Sequence, residues 1–248
     1  MNSYPKSIAL VVNLFGEIDY ESLKRIAENL RRARCRNADY LTRVIISWSN
    51  PPTNASELVK KLRNLLDGGY TSFMYLPLPK MGSGKHRDLT LQYILRKYNE
   101  TKYIVYIEED VIVYDSCWLD HLVEMSEKLP FRIAILSPEP ATKLCLNLVG
   151  RIIPSKRMFV VGLVGGFGLY LVRSDALKHL MSKGLRTYSP YMYFYWEDKE
   201  FTFKLWLESF VTLSYKGINY VHLGDTSKTY SLHRRYTKIH WTFNEYAH

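Results

Sequence analysis

The sequence predicts one α/β domain with a mostly parallel central sheet flanked by helices. Strand-like and helix-like segments alternate from residue 8 to residue 123, an order typical of a parallel sheet covered on both faces. The segment Tyr103–Ile107 is apolar throughout, as expected of a central strand. A length of 248 residues allows a substantial core, and 47% apolar against 23% charged residues excludes a disordered chain.

In the first half, each predicted strand leads into a helix. Asp19 and Ser116 are expected to cap the first and fourth helices, and the loop Pro77–Gly84 opens the third. The predicted strands are Ile8–Phe15, Arg43–Trp48, Ser72–Leu76 and Tyr103–Ile107. The helices between and after them carry apolar side chains at helical spacing within residues 23–33, 58–66, 91–98 and 119–123.

The second half is less regular. Helices are expected at Ser174–Lys183 and Glu197–Glu208. Further strands are expected at Arg132–Leu136, Phe159–Val164, Gly168–Val172, Val211–Tyr215 and Asn219–Leu223. A basic and aromatic stretch from Lys228 to His248 has no clear period. Neither a repeat nor a low-complexity linker divides the chain into independent domains.

Charge and cysteine content narrow the function classes. The 34 basic and 24 acidic side chains give a net charge of +10, which favours a nucleotide, a phospholipid surface or a nucleic acid as partner. The three cysteines, Cys35, Cys117 and Cys145, form no CxxC pair, so we expect neither a disulfide framework nor a zinc site. We expect the protein to occupy a reducing compartment. The apolar segments Ile8–Phe15 and Met158–Val172 are too short to span a membrane and fit strands better.

Three acidic residues, Glu108, Glu109 and Asp110, follow the most apolar strand directly. In open α/β sheets, ligands bind at the carboxyl ends of the strands. In extended chain Glu108 and Asp110 share one side, and Glu109 faces away. Two carboxylates on one side suit Mg²⁺ or Mn²⁺ bound together with substrate phosphates, and we favour this interpretation over a solvated acidic turn.

A basic loop, Lys80–Asp88, precedes the third helix. The start of a helix binds anions well, although the residue after Lys85 is His86, which excludes a P-loop. On this segment alone, an ordinary strand-to-helix connection explains the residues equally well.

The segment Tyr191–Glu200 joins an aromatic run to the acids Glu197 and Asp198. Aromatic faces stack on sugars or bases, and a neighbouring carboxylate can act as a general base. Taken alone, the segment is better explained as a core strand followed by acids that favour a helix start. His222, at the end of a predicted strand, would likewise be assigned a structural role on its own.

In their order along the chain, these features resemble the GT-A glycosyltransferases, most closely the family-2 type, from Ile8 to Ser227. Gly82 with Arg87-Asp88 resembles the G-x-x-x-x-R-N segment, with Asp88 in place of the usual Asn. Glu108–Asp110 resembles the D-x-D motif, with Glu108 in place of the first Asp. Gly165–Arg173 resembles the glycine-led strand that lies beside the donor sugar in the family. Trp196–Glu200 resembles the E-D-x-D/E motif. His222 resembles the late histidine that completes the metal or diphosphate site.

The resemblance implies an enzyme that transfers a sugar from a nucleotide sugar to an acceptor hydroxyl. Asp198 would be the catalytic base, and in-line attack would invert the anomeric centre. The implied ligands of Mn²⁺ or Mg²⁺ are Asp110, Glu108 and His222. The implied donor-binding residues are Asn13, Lys85, Arg87, Glu108, Gly165 and Gly166. The implied acceptor-binding residues are Tyr193, Tyr195, Trp196 and Glu197.

The same resemblance divides residues 1–227 into a donor-binding half, about 1–115, and an acceptor half, about 116–227, followed by a tail, residues 228–248. The acceptor would be a glycan, lipid or protein, and the basic tail could contact an anionic bilayer. We therefore expect a cytoplasmic protein with peripheral membrane association. The donor base stays open, because the stretch Ile46–Asn50 lacks the acid that often reads it in the family.

Three alternatives remain. A sugar nucleotidyltransferase would share the α/β layout, but no glycine-rich loop follows the first strand. A non-catalytic sugar-binding protein is compatible with Glu108 in place of the usual Asp. A nucleic-acid-binding protein would use the net charge of +10 and the tyrosine-rich tail, and its binding would depend steeply on salt and not on a metal.

Overall fold

The structure is a computed structural model and describes residues 7–35, 41–66, 70, 72–129, 132–138, 159–161, 168–188 and 197–223. The strands in these residues are β1 (Ser7–Phe15), β2 (Leu41–Ser49), β3 (Ser72–Leu78), β4 (Thr101–Glu108), β5 (Val111–Val113), β6 (Ile133–Ser137), β7 (Phe159–Val161), β8 (Leu169–Arg173), β9 (Val211–Tyr215) and β10 (Tyr220–His222). The helices are α1 (Tyr20–Ala33), α2 (Ala55–Asn64), α3 (Ser83–Lys97), α4 (Trp118–Lys128), α5 (Ser174–Ser182) and α6 (Glu197–Leu207).

The main sheet has eight strands in the order β3-β2-β1-β4-β8-β6-β9-β7. The pairs β3–β2, β2–β1, β1–β4 and β6–β9 are parallel. Only β8 and β7 run against their neighbours in the described sheet. The predicted α/β class with a mostly parallel central sheet is therefore confirmed.

Helices cover both faces of this sheet, which explains the uninterrupted apolar run of β1. Ile8, Leu10 and Val12 join the core that contains α1, α2 and α4. Ala9 and Val11 join the core that contains α3, α5 and α6. Because neither face is solvated, the strand shows no alternation of apolar and polar residues.

The start of α4 differs from the prediction. Asp19 caps α1 as expected, with its Oδ1 atom accepting from the Ser22 amide at 2.7 Å. The expected cap of α4, Ser116, is wrong: Cys117 occupies that position, in the left-handed backbone region at φ 60°. The Cys117 amide donates to the Arg32 carbonyl at 2.6 Å, so contact with the end of α1 decides where α4 begins.

Cys35 and Cys117 form a disulfide, with their Cα atoms 4.8 Å apart. The expectation of a chain without a disulfide framework is wrong for these two cysteines. Their separation of 82 residues has no sequence signature, and only the packing of α1 beside α4 brings them together. The inference of a reducing compartment, which rested on the cysteines, loses its support.

A second, two-stranded sheet pairs β5 with β10 in antiparallel orientation. The strand near His222 was predicted, whereas β5, with three residues, is too short to produce a periodic signal. This small sheet follows the carboxyl end of β4 and carries part of the candidate site. Among the described helices, none combines the length and hydropathy needed to cross a membrane.

Candidate functional site

The candidate site forms where β4 ends and β10 returns beside β5. Glu108 is the last residue of β4, and Asp110 directly precedes β5. His222 pairs with Val111, and the Leu223 amide donates to the Asp110 carbonyl at 2.8 Å. This pairing brings Glu108, Asp110 and His222 together, each with a ligand atom within 4.8 Å of the others.

The spacing of these atoms suits a small divalent cation. The His222 Nε2 atom lies 3.4 Å from Asp110 Oδ1 and 3.8 Å from Glu108 Oε2. Ligands about 2.1 Å from an octahedral cation are about 3 Å apart when adjacent and about 4.2 Å apart when opposite. The buried Asp110 Oδ1 atom has no hydrogen-bond donor among the described residues. Two carboxylates and an imidazole could therefore hold Mn²⁺ or Mg²⁺ with only small adjustments.

Glu109 lies in the turn between β4 and β5 and is not part of the group formed by Glu108, Asp110 and His222. Its carbonyl accepts from Arg25 Nη1 at 2.9 Å, and its side chain is buried. Burial, together with the charges of Asp110 and Glu108, raises the pKa of Glu109 well above its ordinary value. Burial also raises the pKa of Glu108, while the Arg87 guanidinium opposes that shift.

Arg87, on α3, joins Glu108 to the start of α6. Its guanidinium contacts Glu108 Oε1 and lies 3.2 Å from Glu197 Oε1. Burial disfavours the charged guanidinium, but Glu108 and Glu197 outweigh it and raise the pKa of Arg87 well above its ordinary value. The arrangement couples the candidate metal-ligand cluster to the segment that contains Asp198.

Glu197 occupies a different environment from the acceptor-facing one that we expected. It is buried, and its Oε1 atom accepts from Ser83 Oγ at 2.5 Å as well as from Arg87. The carboxylate thus faces α3. Its assignment to acceptor binding remains a prediction that these contacts do not support.

Three buried tyrosines lie behind Arg87, and sequence reasoning did not identify them. Tyr106 and Tyr170 stack with ring centroids 4.9 Å apart, and the hydroxyls of Tyr170 and Tyr188 are 3.0 Å apart. The Tyr106 hydroxyl donates to the Arg87 carbonyl at 3.4 Å. Burial raises the pKa of all three, so they stay neutral and surround the ion pairs with few competing charges.

Asp198 lies in the first turn of α6, as predicted, and is partly exposed. Its Oδ1 atom accepts from the Lys199 amide at 2.8 Å. The contact of Glu197 with Arg87 fixes the first turn of α6, and Asp198 lies in that turn. Lys85 is exposed in the first turn of α3.

Asn13 is fully buried in β1, in register with Glu108 on one side and Ser47 on the other. Neither atom of its amide group has a hydrogen-bond partner among the described residues. Ser47 Oγ lies 2.7 Å from His86 Nε2, and burial, followed by the Arg87 charge, lowers the pKa of His86 to about 3. A neutral polar cluster therefore lies beneath the start of α3, and the donor-binding role of Asn13 remains a prediction.

Several candidate residues lie outside the described part of the chain. These are Gly165 and Gly166 of the donor set, Tyr193, Tyr195 and Trp196 of the acceptor set, and the tail, residues 228–248.

The comparisons with known proteins identify the fold. No family model matches the chain, and no curated protein is similar to it. TarS from S. aureus superposes with a TM-score of 0.54 at 16% identity, over 86% of this chain and 36% of TarS. The structure of GalNAc-T7 with UDP, GalNAc and Mn²⁺ superposes with a TM-score of 0.59 at 15% identity, over 90% of this chain and 44% of GalNAc-T7.

A third similar structure is the mannosyltransferase PcManGT from Pyrobaculum calidifontis with GDP-Man and Mn²⁺, with a TM-score of 0.55 at 11% identity. The match covers 82% of this chain and 53% of PcManGT. The chain therefore spans from about a third to about half of the length of these proteins. It has the fold of the GT-A glycosyltransferases, which confirms the predicted fold.

Proposed function

We propose that the protein is a divalent-metal-dependent glycosyltransferase that moves a sugar from a nucleoside-diphosphate sugar to an acceptor hydroxyl. The observation that carries this proposal is the meeting of Glu108, Asp110 and His222 at the carboxyl end of β4. Support comes from the fold, because the two similar structures with Mn²⁺ contain UDP or GDP-Man.

The three side chains would hold Mn²⁺ or Mg²⁺ where the donor diphosphate binds. The cation would neutralise the charge that develops on the diphosphate leaving group. Glu108 and Asp110 offer carboxylate oxygens and His222 offers Nε2. Arg87 keeps Glu108 oriented through a charge-assisted hydrogen bond, and its burial leaves the exposed Lys85 as the more accessible cation for donor phosphates.

Asp198 is the proposed catalytic base. The partial positive charge at the start of α6 favours its ionised form, and the contact of Glu197 with Arg87 anchors that helix start. A carboxylate within hydrogen-bond reach of the acceptor hydroxyl takes its proton during attack. Direct attack on the donor sugar then inverts the anomeric centre.

The partners proposed are a nucleotide-sugar donor and a glycan, lipid or protein acceptor. The base of the donor is left open, because the stretch Ile46–Asn50 at the end of β2 lacks the acid that often reads the base or ribose in this fold family. The tail, residues 228–248, is proposed to contact the acceptor or an anionic bilayer, because Lys228, Arg234, Arg235 and Lys238 lie in it.

The test is calorimetric titration of UDP, GDP and dTDP with and without Mn²⁺. We expect at least one nucleotide to bind more tightly with Mn²⁺, and Asp110→Asn to lose that gain. Asp175→Asn is the matched control, because Asp175 is an exposed acid in the first turn of α5. Equal affinity with and without Mn²⁺ for every nucleotide would contradict the proposal. Tight, salt-sensitive binding of nucleic acid without metal would favour the alternative.

A further inference from the structure

One face of α1 holds the segment after β4, which includes Asp110, one of the three candidate metal ligands. Arg25, Asn29 and Arg32 are four and three residues apart, so they lie on the same side of the helix. Each donates to a backbone carbonyl of the segment after β4: Arg25 to Glu109 at 2.9 Å, Asn29 to Val111 at 2.7 Å, and Arg32 to Val113 at 3.2 Å. The helix therefore follows β5 along its whole length.

Asn29 binds β5 at two points, as a neighbouring strand would. Its Nδ2 atom donates to the Val111 carbonyl at 2.7 Å, and its Oδ1 atom accepts from the Val113 amide at 2.9 Å. The residue is buried, so water does not compete for these groups. The side-chain amide thus supplies one donor and one acceptor to alternate residues on the same edge of the strand.

The opposite edge of β5 is bound by β10. The Asp110 carbonyl accepts from the Leu223 amide at 2.8 Å, and the Tyr114 amide donates to the Asn219 carbonyl at 2.9 Å. Alternate residues of an extended chain turn their backbone groups to opposite edges, which explains the two sets of partners. Asn29 on one side and β10 on the other therefore fix the position of β5.

The position of β5 in turn sets two ligands relative to the third. Asp110 directly precedes β5, and His222 is paired with Val111. Glu108 is located separately, because it ends β4 in the main sheet. A shift of β5 would move Asp110 and His222 together, away from ligating distance of Glu108.

We propose that Asn29 is a positioning residue for the divalent cation. Its two hydrogen bonds hold β5 in place, and β5 keeps Asp110 and His222 at ligating distance from Glu108. This inference rests on the proposed function, because it takes these three side chains as metal ligands. The action is indirect, since both side-chain bonds go to backbone groups of β5.

The experiment measures the binding of Mn²⁺ alone to the whole chain, from the electron paramagnetic resonance signal of the free aqueous ion. Asn29→Asp keeps the shape and the acceptor for Val113 but replaces the donor to Val111 with an oxygen. Loss of an outer partner typically weakens a metal site, so we expect the Kd for Mn²⁺ to rise roughly 10–100-fold. Asn29→Ser shortens the side chain so that it no longer reaches β5, and it adds no charge. This variant replaces Asn29→Asp in the experiment if Asn29→Asp does not fold.

The matched control is Leu180→Ala, which truncates a fully buried side chain of α5 in the other core. It should lower the melting temperature and leave the Kd for Mn²⁺ unchanged, which separates positioning from general stability. A folded Asn29 variant with wild-type affinity, or equal weakening by Leu180→Ala, would overturn the inference. If the wild-type chain itself bound no Mn²⁺, the metal site of the proposed function would be refuted instead.

Discussion

Arg87 connects more of the candidate site than any other single side chain described above. It contacts two carboxylates from different elements, Glu108 of β4 and Glu197 of α6, in a buried environment lined by tyrosines. Breaking a buried ion pair by removing one partner is costly, because the remaining charge stays desolvated. The same side chain was assigned from the sequence to donor binding, and its first effect in the structure is to hold the two acids together.

Substitution of Arg87 should therefore affect stability. Arg87→Met keeps the volume and leaves Glu108 and Glu197 without their shared cation. We expect the free energy of unfolding, measured by urea denaturation without added metal, to fall by about 3–5 kcal/mol. Arg96→Met, an exposed position on the same helix, is the control and should change it by less than about 0.5 kcal/mol. Similar losses in the two variants would show that the ion pairs do not stabilise the fold.

Substitution of Asp198 should slow sugar transfer and leave nucleotide binding nearly unchanged. Asp198→Asn keeps the shape and removes the basicity, so transfer should slow by roughly 10²–10⁴ while calorimetric nucleotide affinity stays near wild type. Asp175→Asn is a close control, because each acid lies in the first turn of a helix and accepts from the next backbone amide. Transfer at the wild-type rate, or a product that retains the anomeric configuration, would exclude Asp198 as the base.

At the scale of elements, α1 is the support of the segment after β4. Its side chains bind the backbone of β5, and Cys35, two residues beyond its end, is bonded to Cys117 before α4. The Cys35 amide also donates to Asp120 of α4 at 2.6 Å. The end of α1, the segment with β5 and the start of α4 thus form one connected unit beside the candidate metal ligands.

The disulfide should contribute to the stability of this unit. A cross-link between residues 82 apart restricts the unfolded chain, so replacing both cysteines by serine should lower the free energy of unfolding by about 2–4 kcal/mol under oxidising conditions. Reductant should bring the wild-type chain to the same value as the double variant. Cys145→Ser, which leaves this bond intact, should match the wild type. Equal stability of the wild-type chain with and without reductant would contradict the assignment of the bond.

At the scale of the whole molecule, the main sheet and the small β5–β10 sheet together bring distant parts of the chain to one place. The candidate ligands Glu108 and Asp110 come from the middle of the chain, whereas Asp198 and His222 come from its second half. The candidate metal site therefore contains residues from both the proposed donor half and the proposed acceptor half, because His222 lies beside Glu108 and Asp110.

The tail should be dispensable for donor binding. A chain truncated after Ser227 keeps all the metal ligands proposed here, so its calorimetric affinity for the preferred nucleotide with Mn²⁺ should equal that of the whole chain. Binding to vesicles that contain anionic lipid, or transfer to the acceptor, should decrease because four basic side chains are lost. A truncated chain that is folded but has lost nucleotide affinity would show that the tail belongs to the donor site.

The sequence by itself determined the α/β class, the parallel half of the sheet and the position of Glu108 and Asp110 at the carboxyl end of the central strand. These follow from the periodicity of apolar residues and from strand geometry, which are local properties of the chain. It also determined that Asp198 begins a helix, because acidic residues favour a helix start.

Only the tertiary structure decided which distant residues meet. The contact of Arg87 with Glu197, the bond between Cys35 and Cys117, and the support of β5 by Asn29 join residues between 82 and 110 positions apart. None of these pairs has a local signature, since each depends on how two elements pack against each other. The sequence linked Arg87 only to donor binding and gave Asn29 no role, and packing alone shows that both are buried and hold parts of the site together.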